Sequence, residues 1–193
     1  CLGYPERALK QSQEALALAR ELGHPFSLTD ALCYAGCQFH EMRRDTQALQ
    51  DHAEELVRLA NETSLVGWLA EGIRYRGEAL AALGQVQEGM EQIRAGMAAK
   101  RSTGARLHRS GALGSLAQVQ LKAGQSEEGL TTLAEALALV EETDERYWET
   151  ELHRVQGELL FMQGDEAEAE ASFHKAIEVA RRQQAKSWEL RAT

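Results

Sequence analysis

Two strings in this 193-residue chain hold the side chains best spaced for chemistry. Glu71-x-x-Arg74-x-x-x-Glu78 and Glu151-x-x-Arg154-x-x-x-Glu158 lie eighty residues apart. On a helix, spacings of three, four and seven bring both carboxylates and the guanidinium to one face. Such a face can be a run of ion pairs, each worth only a few tenths of a kcal/mol when exposed, or it can offer mixed charge to a ligand. Ion pairing is the favoured reading. A second constellation is Cys33, Cys37 and His40, at i, i+4 and i+7. It could reach a tetrahedral metal, but a fourth soft ligand is not evident. Small, half-buried cysteines are therefore expected, with no metal and no cofactor. His40-Glu41 lacks the second histidine of a zinc-protease helix. Neither a glycine-rich phosphate loop nor a Gly-x-Ser-x-Gly elbow occurs. The many carboxylates are expected on exposed faces, where a raised pKa would not arise. No enzyme is predicted.

The elements that carry these residues repeat. Leu28, Trp68, His108, Trp148 and Trp188 are spaced by forty, as are Gly84, Gly124 and Gly164. Ala8, Ala48, Gly89, Gly129 and Ala169 keep the same beat with a single one-residue slip. A long, regular period marks a solenoid of stacked supersecondary units. Helical spacing predicts first helices over Phe26–Met42, Val66–Leu83, Leu107–Ala123 and Tyr147–Gln163. Their partners run over Thr46–Asn61, Val86–Arg101, Glu127–Glu142 and Glu166–Gln184. A lone second-type helix, Pro5–Leu22, precedes them, and a further first-type helix starts at Ser187. The repeats are accordingly placed at 25–63, 64–104, 105–144 and 145–185, with partial repeats at 1–24 and 186–193, in one array over 1–193.

The turns follow from residue type. Gly84, Gly124 and Gly164 suit a left-handed position after a helix. Ser126, and Asp165 with Glu168, suit helix starts, and Pro5 suits a first turn. Asp45 stands in for the glycine turn of the first full pair. Gly36, Gly77, Ala117 and Gly157 recur inside first helices, twelve residues before the small residues of second helices. Interior glycine costs roughly 0.5–1 kcal/mol, so close approach of paired helices is expected there. The bulky residues at the forty-spaced positions are expected to pack each pair on the last.

Net charge of −9 opposes a nucleic-acid partner, which needs a basic face. The clusters Lys100–Arg101–Arg106–Arg109 and Arg181–Arg182–Lys186 are expected to be solvated charges. No apolar run is long enough to span a bilayer, so no membrane partner is expected. Cys1, Cys33 and Cys37 give no disulfide framework, which suggests a reducing, cytoplasmic setting. The chain opens on Cys1 and is expected to be part of something longer.

The pattern resembles the tetratricopeptide repeat. Gly77, Leu80 and Gly89 match its small–bulky–small signature, as do Gly157, Leu160 and Ala169, and Gly36, Phe39 and Ala48. Ala117 replaces the first glycine of the third pair, and the family's usual proline near each repeat end is absent. The resemblance implies an all-α, right-handed superhelical solenoid of antiparallel helix pairs, about four and a half in number at about forty residues each. The strings around Glu71 and Glu151, and the tail Ala180–Arg191, are similar to repeat arrays of large bacterial signalling proteins. In those, the array follows an ATPase module in transcriptional regulators and nucleotide cyclases. The resemblance therefore implies a regulatory or sensor segment that binds a protein or peptide in a concave groove. A passive scaffold and a small-effector sensor are the alternatives. The groove contacts it implies are Asp30, Cys33, Cys37, Glu71, Arg74, Glu78, Gln118, Lys122, Glu151, Arg154 and Glu158. The lysine and asparagine pattern that clamps a terminal carboxylate in chaperone-binding members is missing, so that ligand is not expected. The array's apolar ends are expected to associate end to end.

Overall fold

A computed structural model describes residues 3–105 and 107–193. Cys1, and Arg106 of the first basic cluster, lie outside the described residues. Every regular element among the described residues is helical. α1 is Pro5–Leu22. The first helix of the first full pair comes in three consecutive pieces: α2 (Pro25–Ala31), a π-helical segment (Leu32–Gln38) and α3 (Phe39–Arg43). Its partner is α4 (Thr46–Glu62). The second pair is α5 (Val66–Ala82) and α6 (Val86–Ser102), and the third is α7 (Arg109–Lys122) and α8 (Ser126–Thr143). A 3-10 turn, Arg146–Trp148, leads into α9 (Glu149–Gln163), which pairs with α10 (Glu166–Arg182). α11 is Lys186–Ala192. The contacts divide the chain into two compact units, one spanning Pro5–Arg106 and one built on Leu107–Thr193.

Gly84, Gly124 and Gly164 sit at φ of 96°, 74° and 90°, the left-handed turns expected of them. Three start signals differ. In the first pair the left-handed residue is Arg44 (φ 57°), and Asp45 is instead the N-cap of α4, its carboxylate accepting the Ala48 N–H at 3.3 Å. Asp165 occupies the N-cap of α10 without a side-chain cap bond. Its ψ is 64° against 83° at Asp45, further from the extended region in which a cap side chain reaches back. Gln125, not Ser126, is the N-cap of α8, and the Ser126 hydroxyl accepts from Gln163 Nε2 at 3.1 Å.

Backbone contact sets the crossing in the second pair. A Cβ on Gly77 would lie 2.6 Å from the Gly89 carbonyl oxygen and 2.9 Å from the Ile93 nitrogen, and one on Gly89 would strike Gly77 and Ala81. The fourth pair differs, since Gly157 receives the Phe173 ring. The first pair differs more. Counting back forty from Gly77 and Gly89 reaches Cys37 and Leu49, so the slip at Gly36 and Ala48 is no slip in the chain. Larger residues occupy the crossing positions. Both are buried in the core of the first unit with Leu16, Leu32, Leu56 and Tyr75, and the helix around Cys37 is π-helical. A π turn is wider than an α turn, which makes room for these side chains. Gly36 instead accommodates His52, whose Cγ would be 3.0 Å from an added Cβ.

Trp148 and Trp188 are buried and pack together at 5.7 Å between ring centroids, tilted by 39°, as their position predicts, while Trp68 is half-buried. His108 departs from the pattern. It is left-handed (φ 65°) at the start of α7, where the Glu145 carboxylate accepts its N–H at 2.8 Å and the Ser110 hydroxyl at 3.2 Å.

Two outcomes follow from this packing. Gly77→Ala is expected to destabilise by about 1–3 kcal/mol through backbone overlap. Gly67→Ala, in the same helix with nothing within 4 Å of the new Cβ, should be neutral or stabilise by up to about 1 kcal/mol. Urea titrations of the two variants check the contrast. Burial holds His40, His52 and His153 below the usual histidine value. The unfolded chain then binds more protons below that value, so stability is full above it and falls as pH drops through it. Thermal melts at pH 7.5 and 5.5 should show this loss, reduced but not abolished in His40→Gln/His52→Gln because His153 remains.

Candidate functional site

Each unit contains one copy of the Glu–Arg–Glu arrangement, and the two are built alike. On α5, the Glu71 carboxylate accepts from Arg74 Nε at 2.9 Å, and Arg74 Nη1 donates to Glu78. Lys100 Nζ, from the end of α6, donates to the other Glu71 oxygen. The Arg74 guanidinium lies 3.8 Å from the centroid of the Tyr75 ring. On α9, Glu151 accepts from Arg154 Nε at 3.0 Å, and Arg154 Nη1 donates to Glu158 at 2.5 Å. Arg191 of α11 stands 3.8 Å from the second Glu151 oxygen, in the role that Lys100 plays at Glu71.

The helix-face geometry is as expected, but the exposure is not. Glu71 and Arg74 are 4% and 6% exposed, and Glu151 and Arg154 are 3% and 5%. These are buried ion pairs, not a solvated run, because the following second helix or α11 covers the face with its own cation. Burial pushes the Glu71 carboxyl up, yet Arg74 and Lys100 outweigh it and hold the group below the usual carboxylate range. In the first cluster Glu71 and Glu78 pair with Arg74 and Lys100, and the Glu41 carboxylate also acts on Arg74; in the second, Glu151 and Glu158 pair with Arg154 and Arg191. Glu149 is likewise buried, paired with Arg146 at 3.3 Å and Arg182 at 3.1 Å. Arg181 and Lys186 each pair with Glu189 at 2.8 Å. The second basic cluster is thus tied up in ion pairs, and so is Lys100 of the first.

The remaining expected contacts are scattered. Cys33 and Cys37 are fully buried beside the Glu71–Arg74 cluster. Burial pushes both thiols up, so they stay protonated and are poor nucleophiles and ligands. His40 is buried too, with Nδ1 3.3 Å from Asp45. No group of three or more ligating side chains that could hold a metal occurs among the described residues. Asp30 on α2 and Gln118 on α7 are half-buried, and Lys122 is exposed. Gly111 and Gly114 occupy on α7 the positions of Glu71 and Arg74. A Cβ on Gly111 would lie 2.5 Å from Trp148 Nε1, and one on Gly114 would lie 2.7 Å from Leu152 Cδ2. In the third pair, therefore, this face is a helix contact. The paired glycines are visible in the sequence, and their meaning lies in the side chains that fill them.

Stacked helix pairs, two of them with ion pairs buried on the first-helix face, define a helical-repeat solenoid. Residues 108–182 match the family model of the tetratricopeptide repeat. Solved structures agree on the fold. BtubC (BKLC) from P. vanneervenii superposes with a TM-score of 0.65 at 14% identity, covering 93% of this chain and 74% of that one. The TPR-like repeats of a putative kinesin light chain from Podosopora anserina give 0.58 at 17% identity, covering 95% and 90%. MamA gives 0.52 at 14% identity, covering 94% and 96%. No curated protein matches the chain. The chain is an all-helical, tetratricopeptide-like solenoid of helix pairs about forty residues long. Repeats of this type commonly bind protein partners, and the fold is typically a non-catalytic scaffold. No helix among the described residues is long and apolar enough to cross a membrane.

Removing one member of a buried pair strands the others. Arg74→Ala and Arg154→Ala are each expected to cost about 3–5 kcal/mol, whereas Glu71→Leu/Arg74→Met should cost less because it removes a buried carboxylate together with its buried cation. Glu71 binds protons less readily folded than unfolded, so its contribution is full above the usual carboxylate value. It is lost as pH falls through the lower folded value. Denaturant titrations of the variants, and an acid limb that flattens in Glu71→Gln, check both points.

Proposed function

We propose that this chain is a protein-interaction module, the regulatory or sensor segment of a larger bacterial signalling protein, which binds a peptide along its first-helix faces. The observation that carries this reading is the tetratricopeptide-like fold with ion pairs locked into those faces. A buried pair between α5 and α6, or between α9 and α11, fixes helix position rather than turnover chemistry. Each unit has its own surface to be read, the residues that remain at least partly exposed: Asp30 in the first, and Gln118, Lys122 and Glu158 in the second. Glu158 retains 41% side-chain exposure although it holds Arg154. Glu71, Arg74, Glu151 and Arg154 support the surface from beneath, as do Cys33, Cys37 and Glu78. Bound peptide would bias how neighbouring pairs stack, and through them an attached ATPase of the kind the sequence resemblance implies. Cytoplasmic residence fits the unbridged thiols, and end-to-end association of copies fits exposed Leu18, Leu22, Phe161 and Leu190.

A peptide-display selection on the purified chain tests the reading. A convergent motif is expected. Its affinity should fall at least about tenfold in Lys122→Glu or Glu158→Lys, with melting temperature unchanged. Selection without convergence, or binding indifferent to both changes, would sink the proposal. Regulation is tested separately, by ATPase turnover of the full-length protein with and without the selected peptide.

A further inference from the structure

The first pair carries a cluster that the later pairs do not repeat. Phe26 and Tyr34 both lie against Trp68 of α5, each at 5.8 Å between ring centroids and edge-on, at 77° and 90°. Asp30 stands between them in the chain, one turn from each, on the same helix face. Phe26 is 51% exposed and Tyr34 39%, while Asp30 and Trp68 are half-buried. The carboxylate of Asp30 forms no ion pair among the described residues, in contrast to the buried Glu71, Glu149 and Glu151, each of which faces a cation. The π-helical segment begins two residues after Asp30 and contains Tyr34. Short π segments inside α-helices tend to mark functional sites. The positions of Tyr34 in the later pairs are Arg74, Gly114 and Arg154, and those of Asp30 are Ala70, Ser110 and Thr150.

We infer that Phe26, Asp30, Tyr34 and Trp68 form a receptor for a cationic side chain, the lysine or arginine of a bound peptide. Aromatic faces attract a cation through their quadrupoles, most strongly at tryptophan. A neighbouring carboxylate supplies the counter-charge that burial on binding would demand. The protein already uses this chemistry internally, with Arg74 over Tyr75. Phe26 and Tyr34, each already held against Trp68, need little ordering on binding. The inference rests on the proposed peptide-binding role and names the chemistry of one residue of the ligand.

Nuclear magnetic resonance on the intact chain tests it, with N-acetyl-arginine and N-acetyl-lysine methylamides as probes and the neutral N-acetyl-glutamine methylamide as control. The Trp68 indole signal should shift saturably with the cationic probes, at dissociation constants on the order of millimolar, and should not shift with the neutral one. Asp30→Asn and Tyr34→Leu should each weaken the response about tenfold, with the melting temperature checking that both variants fold. An equal response to the glutamine probe, a response at Trp148 or Trp188 instead, or an unchanged response in Asp30→Asn overturns the inference. A display selection that converges on a motif without lysine or arginine also overturns it, while leaving the broader peptide-binding role intact.

Discussion

The distance between paired helices governs the rest of this structure. Where Gly77 meets Gly89, backbone touches backbone, and a single added carbon would overlap the facing carbonyl. That approach brings the end of α6 close enough for Lys100 to reach Glu71 across the pair. A wider crossing would leave Glu71 with Arg74 alone, too little to offset the desolvation of a nearly sealed carboxylate. Close packing and buried charge are thus one device, since the glycines permit the approach that lets the ions neutralise each other.

The first pair meets the same constraint differently. Cys37 and Leu49 stand where the second pair has glycines, so its helices cannot close on backbone. The π-helical stretch is the physical counterpart, trading regular hydrogen bonding for girth. Its neighbours show how the irregularity is contained. The Ser12 hydroxyl donates to the Ala35 carbonyl at 2.6 Å, and His52 fills the space above Gly36. Both partners come from other helices, so the irregular turn is held by packing rather than by its own sequence.

Much of this was legible from residue types and spacing. The forty-residue beat, the helix pairs and the left-handed glycines all follow from local rules that a single segment obeys. Periodicity also says which residues share a face, and it placed Glu71, Arg74 and Glu78 together correctly. It does not say what covers that face. Lys100 lies twenty-nine residues from Glu71 in the chain, and no local rule links them. The same limit hid the role of Gly111 and Gly114, which depends on Trp148 and Leu152 arriving from the next pair. It also concealed the setting of Asp30, whose interest comes from Trp68, thirty-eight residues further on. Local chemistry was readable, and burial, a property of pairs of segments, was not.

One repeat position now shows how a uniform frame can hold unlike functions. On successive first helices it is Tyr34, Arg74, Gly114 and Arg154. The two arginines are sealed into buried ion-pair clusters and are unavailable to a ligand without losing their partners. The glycine is a socket for Leu152. The tyrosine packs edge-on against Trp68 and is 39% exposed, one turn from Asp30, whose carboxylate forms no ion pair among the described residues. Three of the four equivalents are thereby committed to holding helices together. The first pair, with its bulky crossing and π-helical first helix, is the one that departs from the common solution.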